Sequence, residues 1–243
     1  MDLDPALSPE RAPLGGRLVT LEPLNPARHG DSLWRSLSGE ENDSLWLYLA
    51  EGPFTERTVF DDYLTRKSIS NEAVCYAIVE RHSRLAAGLA SLMRIDRPNR
   101  VIEVGGIHYS RSLQRTPGAT EAMYLLARYV FDNLRCRRYE WKCNAQNTAS
   151  RRAAERLGFN FEGIFRQHML VKGQNRDTAW YSMLDSEWPD RKASLEAWLR
   201  PENFSEDGTQ RRSLAQIRAE SSTAPIVNPE RPVVNSSLRR IAD

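Results

Sequence analysis

Val101-Ile-Glu-Val-Gly-Gly-Ile-His-Tyr109 runs into Ser110-Arg-Ser-Leu-Gln-Arg-Thr-Pro-Gly-Ala-Thr120 and then into Glu121-Ala-Met-Tyr-Leu-Leu-Ala-Arg-Tyr-Val-Phe-Asp-Asn-Leu-Arg135. The first part is β-rich, and the last carries Met123, Leu126, Ala127, Val130 and Leu134 at helical spacing. The stretch therefore reads as strand, loop and helix, with Thr120 as the expected N-cap. A loop with Gly118 and Ala119 at a helix start presents free N–H groups at the positive end of the helix dipole, where a pyrophosphate binds well. Arg111 and Arg115 add mobile positive charge beside it. An ordinary strand-to-helix loop with two arginines would look the same.

Upstream, Ala73 to Glu80 and Leu85 to Ile95 are β-rich, and short links at 81–84 and 96–100 make them antiparallel neighbours of the strand at 101–109. Leu18 to Leu24 reads as a first strand and Ala27 to Leu37 as a helix. Ser44 to Ala50 is too aromatic for a solvated loop and is expected as a short helix or turn. Thr55 takes the N-cap position of a helix through Tyr63 and Leu64. Downstream come a strand at Tyr139 to Ala145, a helix at Asn147 to Leu157 closed by Gly158, strands at Phe159 to Val171 and Thr178 to Leu184, and a helix at Arg191 to Leu199. The order β-α-α-β-β-β-α-β-α-β-β predicts an α+β fold: a mixed, mostly antiparallel sheet of about seven strands with one βαβ crossover.

The 243 residues are 40% hydrophobic and carry a net charge of only +2, which suits a single large domain. No run approaches the roughly 18 apolar residues of a membrane span, and the start lacks the apolar core of a secretory signal. Cys75, Cys136 and Cys143 form no CxxC, so neither a disulfide framework nor a zinc site is expected. A cytoplasmic location is the resulting expectation. Between Arg111 and Arg156 ten basic residues face four acids. In a nearly neutral chain this favours one polyanionic ligand over general nucleic-acid binding; a solvated helix face is the plainer alternative. Residues 1–14 and the tail from about 220, rich in proline and serine, are expected to be unstructured. GxGxxG, GxxxxGK[ST], GxSxG and HExxH are all absent.

Gln114-Arg-Thr-Pro-Gly-Ala119 resembles the Q/R-x-x-G-x-G/A loop of GNAT (Gcn5-related) N-acetyltransferases, which in that family cradles the pyrophosphate of acetyl-CoA. Thr120-Glu-Ala122, Asn147-Thr-Ala-Ser150, Glu155-Arg-Leu-Gly-Phe159 and Phe161-Glu-Gly163 come in the order of the RimJ/RimL-like branch. That branch acetylates protein N-termini and small amines. The resemblance spans about residues 16 to 188 and implies a GNAT fold whose central βαβ unit binds acetyl-CoA. It assigns cofactor contacts to Ile107, His108, Tyr109, Gln114, Arg115, Thr116, Gly118, Ala119, Thr120, Asn147, Ser150 and Arg152. One loop glycine is replaced by Pro117, which removes a possible N–H donor. Transfer in this family is direct, and Ser150 sits where a hydroxyl reaches the departing CoA thiolate.

Acetylation needs a neutral amine and hence an acceptor for its proton. Glu103 is the first candidate. Strand alternation puts it on one face with Val101, Gly105, Ile107 and Tyr109, and a carboxylate among apolar neighbours has a raised pKa. Gly105 and Gly106 let another chain approach the backbone. His108 is expected on the opposite face, so the two should not act as a pair, and His168 shares its strand face with Arg166 and Leu170. No histidine cluster suggests a metal. Trp46, Tyr48, Phe54, Glu140 and Trp141 are the candidate acceptor-binding residues, although buried aromatics of a core would read alike.

These readings predict a GNAT domain over 15–200, a disordered segment 1–14 and a mostly flexible extension over 201–243. The function expected is acetyl-CoA-dependent N-acetylation of a small or amino-acid-like primary amine, without metal, nucleic acid or membrane, by a monomer or homodimer. A protein α-amine as acceptor, or a non-catalytic acyl-CoA-binding module, are the alternatives.

Overall fold

The computed structural model describes residues 4–223. Its strands are β1 (Leu14–Gly15), β2 (Val19–Pro23), β3 (Ala73–Glu80), β4 (Ala86–Asp96), β5 (Val101–Tyr109), β6 (Arg138–Asn144), β7 (Asn160–Val171) and β8 (Gln174–Leu184). They form one mixed sheet in the order β1-β2-β3-β4-β5-β6-β8-β7. Every pairing is antiparallel except β5 with β6. Two-residue β1 is the strand beyond the seven expected. The helices are α1 (Pro26–Leu37), α2 (Arg57–Ile69), α3 (Pro117–Arg128), α4 (Thr148–Leu157), α5 (Trp188–Leu199) and α6 (Leu214–Thr223).

Parallel β5 and β6 must be joined by a crossover, and α3 supplies it. The two strands pair only from Val101–Arg138 to Val104–Trp141. Beyond that point β5 stays with β4 while β6 stays with β8. The sheet therefore opens between its two central strands, and this opening positions the site.

Two apolar clusters cover the two faces. On one face Leu21, Tyr76, Leu92, Ile102, Val104, Tyr139 and Tyr181 pack against α3 and α5. On the other, Cys75, Ala77, Val79 and Leu89 pack against Leu33 and Leu37 of α1 and Phe60 and Leu64 of α2. The aromatic stretch ahead of Gly52 forms a 3-10 turn over Glu40–Trp46. Trp46 is buried there and donates its indole N–H to the Leu37 carbonyl at 2.7 Å.

The N-cap of α3 lies four residues earlier than the sequence suggests. Thr116, not Thr120, is the N-cap, and its Oγ1 accepts the Ala119 N–H at 3.2 Å. Pro117 fits the first helical turn because its φ is preset and its missing N–H would be unpaired there anyway. Helix α4 is capped by Asn147 and ends on left-handed Gly158, φ 101°. At α2 the N-cap is Glu56 rather than Thr55.

Both ends depart from the expected disorder. Ala6 and Arg97 exchange two hydrogen bonds, Leu7 N–H donates to the Leu134 carbonyl, and Ala6 is buried. Residues 6–11 thus form a strap, tied further by the Glu10 N–H to the Tyr129 hydroxyl and by the Tyr76 hydroxyl to the Glu10 carbonyl. At the other end, α6 buries Leu214 and Ile217 against the main core. Asn203 joins the Trp198 carbonyl to Arg212 and so folds the intervening turn. Polar composition hides such segments because two or three anchoring side chains suffice to hold them. The tail expected to be unstructured beyond 223 lies outside the described residues.

Candidate active site

A cavity of about 1180 Å³ fills the opening between β5 and β6. It runs from the start of α3, past Trp141 and Ser150, to Glu103, Lys142 and Arg176. Most of the expected cofactor contacts line it: Ile107, His108, Tyr109, Gln114, Arg115, Thr116, Ala119, Thr120, Asn147, Ser150 and Arg152. Gly118 faces inward instead, where an added Cβ would meet Val19 Cγ1 at 3.1 Å.

Fewer loop amides are free than the sequence suggests. Gln114 N–H donates to the Ser110 carbonyl, Thr116 N–H to the Leu113 carbonyl and Ala119 N–H to its cap. The loop holds its shape because Arg115 adopts φ +62° and the half-buried Tyr109 hydroxyl donates to the Ala119 carbonyl at 3.2 Å. Arg111 is not mobile: its guanidinium is fixed on Asn42, Ser44 and the Glu41 carbonyl of the 3-10 turn. The side chains of Arg115 and Arg152 form no hydrogen bond or ion pair among the described residues. Arg156, which the sequence offered only as charge, bonds Thr120 Oγ1 at 3.0 Å and lies over the Trp198 ring.

Alternation fails in the middle of β5. Gly106 takes φ +58°, and the four residues of β5 from Gly105 to His108 oppose three of β4, Leu89 to Ser91. This β-bulge reverses the facing of the residues after it. Ile107 and Tyr109 consequently pack with the α3-side core, whereas His108 joins the face of Glu103. The two residues expected to be apart share one wall. His108 is 3% exposed, lies edge-on to Trp46, and both ring nitrogens lack a hydrogen-bond partner. Burial pushes its pKa down to about 3, so the ring is neutral at pH 7.

Glu103 is buried, and burial raises its pKa despite the neighbouring cations. Its Oε2 meets Lys142 Nζ at 2.8 Å and Arg94 Nε at 3.0 Å. Lys142 also meets Glu140 Oε2 at 2.6 Å and lies 3.9 Å over the Trp180 ring. Glu140 is therefore Lys142's rear partner, held by Arg138 as well, and does not face the cavity. Trp141 points to the opposite side of β6 from Glu140 and Lys142. It packs on Phe159 and donates its indole N–H to Ser150 Oγ at 3.0 Å, so it sets the serine rather than an acceptor wall. Asn147 Oδ1 accepts the Ser150 N–H at 3.0 Å.

Of the aromatic acceptor candidates, Tyr48 lines the cavity and its hydroxyl reaches the Gln146 carbonyl at 3.3 Å. Trp46 and Phe54 are core: they pack on each other, Phe60 and Tyr63. A second bulge, between Phe165 and Met169 with Gln167 at φ +50°, turns His168 to the cavity, where Nδ1 lies 3.0 Å from Thr178 Oγ1. Among the described residues no group of three or more His, Cys, Asp or Glu could hold a metal, and no helix is long and apolar enough to cross a membrane.

The family model for the acetyltransferase (GNAT) domain matches residues 19–160. The chain belongs to the GNAT acetyltransferase family. A GCN5-related N-acetyltransferase from Brucella melitensis has a solved structure 49% identical to this GNAT chain, covering 89% of it and 98% of that protein, with a TM-score of 0.87. A Bacillus subtilis (strain 168) protein named "Putative ribosomal N-acetyltransferase YdaF" is 26% identical over 71% of the chain and 92% of its own length. The fold also matches the microcin C7 self-immunity acetyltransferase MccE, solved with acetyl-CoA and AMP, at 21% identity and a TM-score of 0.62, over 72% of this chain and 98% of that one. The GNAT acyltransferase fold is thus secured over the region that builds the cavity.

Proposed function

We propose that this GNAT enzyme transfers the acetyl group of acetyl-CoA directly to a small or amino-acid-like primary amine. The supporting observation is the cavity itself, which joins an anion-binding helix start to a buried carboxylate without interruption. The donor set fits acetyl-CoA: unpaired Arg115 and Arg152 and the positive end of α3 suit a pyrophosphate. Pro117, placed where no amide is missed, does not damage that end.

Acetyl-CoA supplies an activated acyl group on sulfur. As the amine nitrogen bonds the acyl carbon, the C–S bond breaks, the nitrogen loses a proton and the thiolate gains one. Glu103 receives the amine proton in this reading, because burial raises its pKa towards neutrality. Ser150 accepts the Trp141 N–H, which leaves its own hydroxyl proton to hydrogen-bond the departing thiolate. Lys142 and Arg94 keep Glu103 ionised between turnovers.

The test is thiol release from acetyl-CoA by the purified full chain, offered single amino acids, simple amines and short peptides. All three cysteines are buried, so the protein contributes little thiol background. Turnover with single small amines supports the proposal. Turnover confined to peptides would replace it by the α-amine reading that the name of the B. subtilis relative favours, and no turnover would refute it.

A further inference from the structure

Four cations line the acceptor end of the cavity, Lys67, Arg94, Lys142 and Arg176, against two carboxylates, Glu51 and Glu103. The carboxylates are already engaged. Glu51 is paired with Arg66, and Glu103 carries Lys142 and Arg94. Lys142 is in turn neutralised by Glu140 from behind. Arg176 is left over. Its Nε is buried and has no hydrogen-bond partner, and it lines the same cavity as Arg94 of β4, Glu103 of β5 and Cys143 of β6. A buried guanidinium N–H without a partner is costly, and a carboxylate or phosphate offers the fork two parallel hydrogen bonds. The site would not hold such a group open for a polycationic amine, which every one of these cations would repel.

We infer that the acceptor is an amine that also carries an anionic group, a carboxylate or phosphate, and that Arg176 binds this group while Glu103 faces the amine. The inference rests on the acetyltransferase reading and narrows its substrate class. His108 strengthens it: a neutral, buried ring with both nitrogens unpaired on the Glu103 wall suits a polar ligand, not a hydrocarbon one. Amine and anion would belong to one small acceptor, since Glu103 and Arg176 line the same end of one cavity.

Matched pairs of acceptors test it by kcat/KM: L-amino acids against their carboxamides, and O-phosphoethanolamine against ethanolamine. The expected result is a preference of at least tenfold for the anionic member of one pair type, which also tells carboxylate from phosphate. In Arg176→Gln the preference should shrink to near parity through KM, with acetyl-CoA affinity by calorimetry unchanged. Equal rates for both members of every pair would overturn the anion inference and leave the acetyltransferase reading standing. A preference that survives unaltered in a folded Arg176→Gln protein would overturn the assignment to Arg176. If no member of the panel is acetylated although acetyl-CoA binds, both readings fall.

Discussion

Replacing Lys142 by methionine should destabilise the protein in a pH-dependent way. The Lys142 side chain is 7% exposed and lies between Glu103 at 6% and Glu140 at 11%. Methionine matches its length but leaves two buried carboxylates facing each other, with only Arg94 and Arg138 to balance them. Breaking a buried pair by removing one partner costs about 3–5 kcal/mol. For a domain of this size that corresponds to a fall in Tm of about 10 °C. The pH sign is set by Glu103. Burial already holds its folded pKa above the unfolded value, so ionising it costs stability as pH rises through that folded value. Without Lys142 the shift grows. The loss should therefore be larger at pH 8 than at pH 5, because ionising the buried Glu103 without Lys142 costs more as pH rises. Urea unfolding of both proteins at the two pH values measures this. A loss below about 1 kcal/mol that is the same at both would refute the view that Lys142 balances buried charge.

Glu103→Gln should lower kcat by a factor of about 10² to 10⁴, with acetyl-CoA affinity retained. In the parent, the acidic limb of the kcat/KM profile should lie above the ordinary carboxylate range, and the variant should lose it. Glu121 accepts the backbone N–H groups of Arg17, Leu18 and Val19 at 2.9, 2.6 and 2.8 Å. Glu121→Gln turns an NH2 toward those donors and should cost about 2–4 kcal/mol, read from urea midpoints at unchanged slope. Ile217→Ala, on the buried side of α6, should cost about 2–4 kcal/mol and speed proteolysis after residue 200; a nearly neutral variant would mean that α6 is not docked.

Much of the framework was legible in the chain itself. The strand runs, the crossover at 101–135 and the Asn147 and Gly158 caps depend on neighbours only a few residues away, and local patterning records them. So do the ordered GNAT motifs, which identify the loop at the start of α3. The pairing of β5 with β6 over four residues, and the gap beyond, depend on which strands compete for each edge, and no local signal carries that.

The facing of the site residues was decided by tertiary structure alone. A single bulge at Gly106 inverts the alternation, placing His108 beside Glu103 and sending Ile107 and Tyr109 to the other side; period-2 reasoning has no means to foresee one inserted residue, although the Gly105-Gly106 pair marks where it is cheapest. The partners of each charge were equally invisible. Glu140, Lys142, Arg94 and Arg176 come from three strands, and only the folded sheet shows that three of them neutralise Glu103 or one another while the fourth is left to face the cavity. Sequence determines which groups a protein has to spend; long-range packing determines which of them remain unpaired, and in this acetyltransferase the unpaired groups are the ones that would meet the substrate.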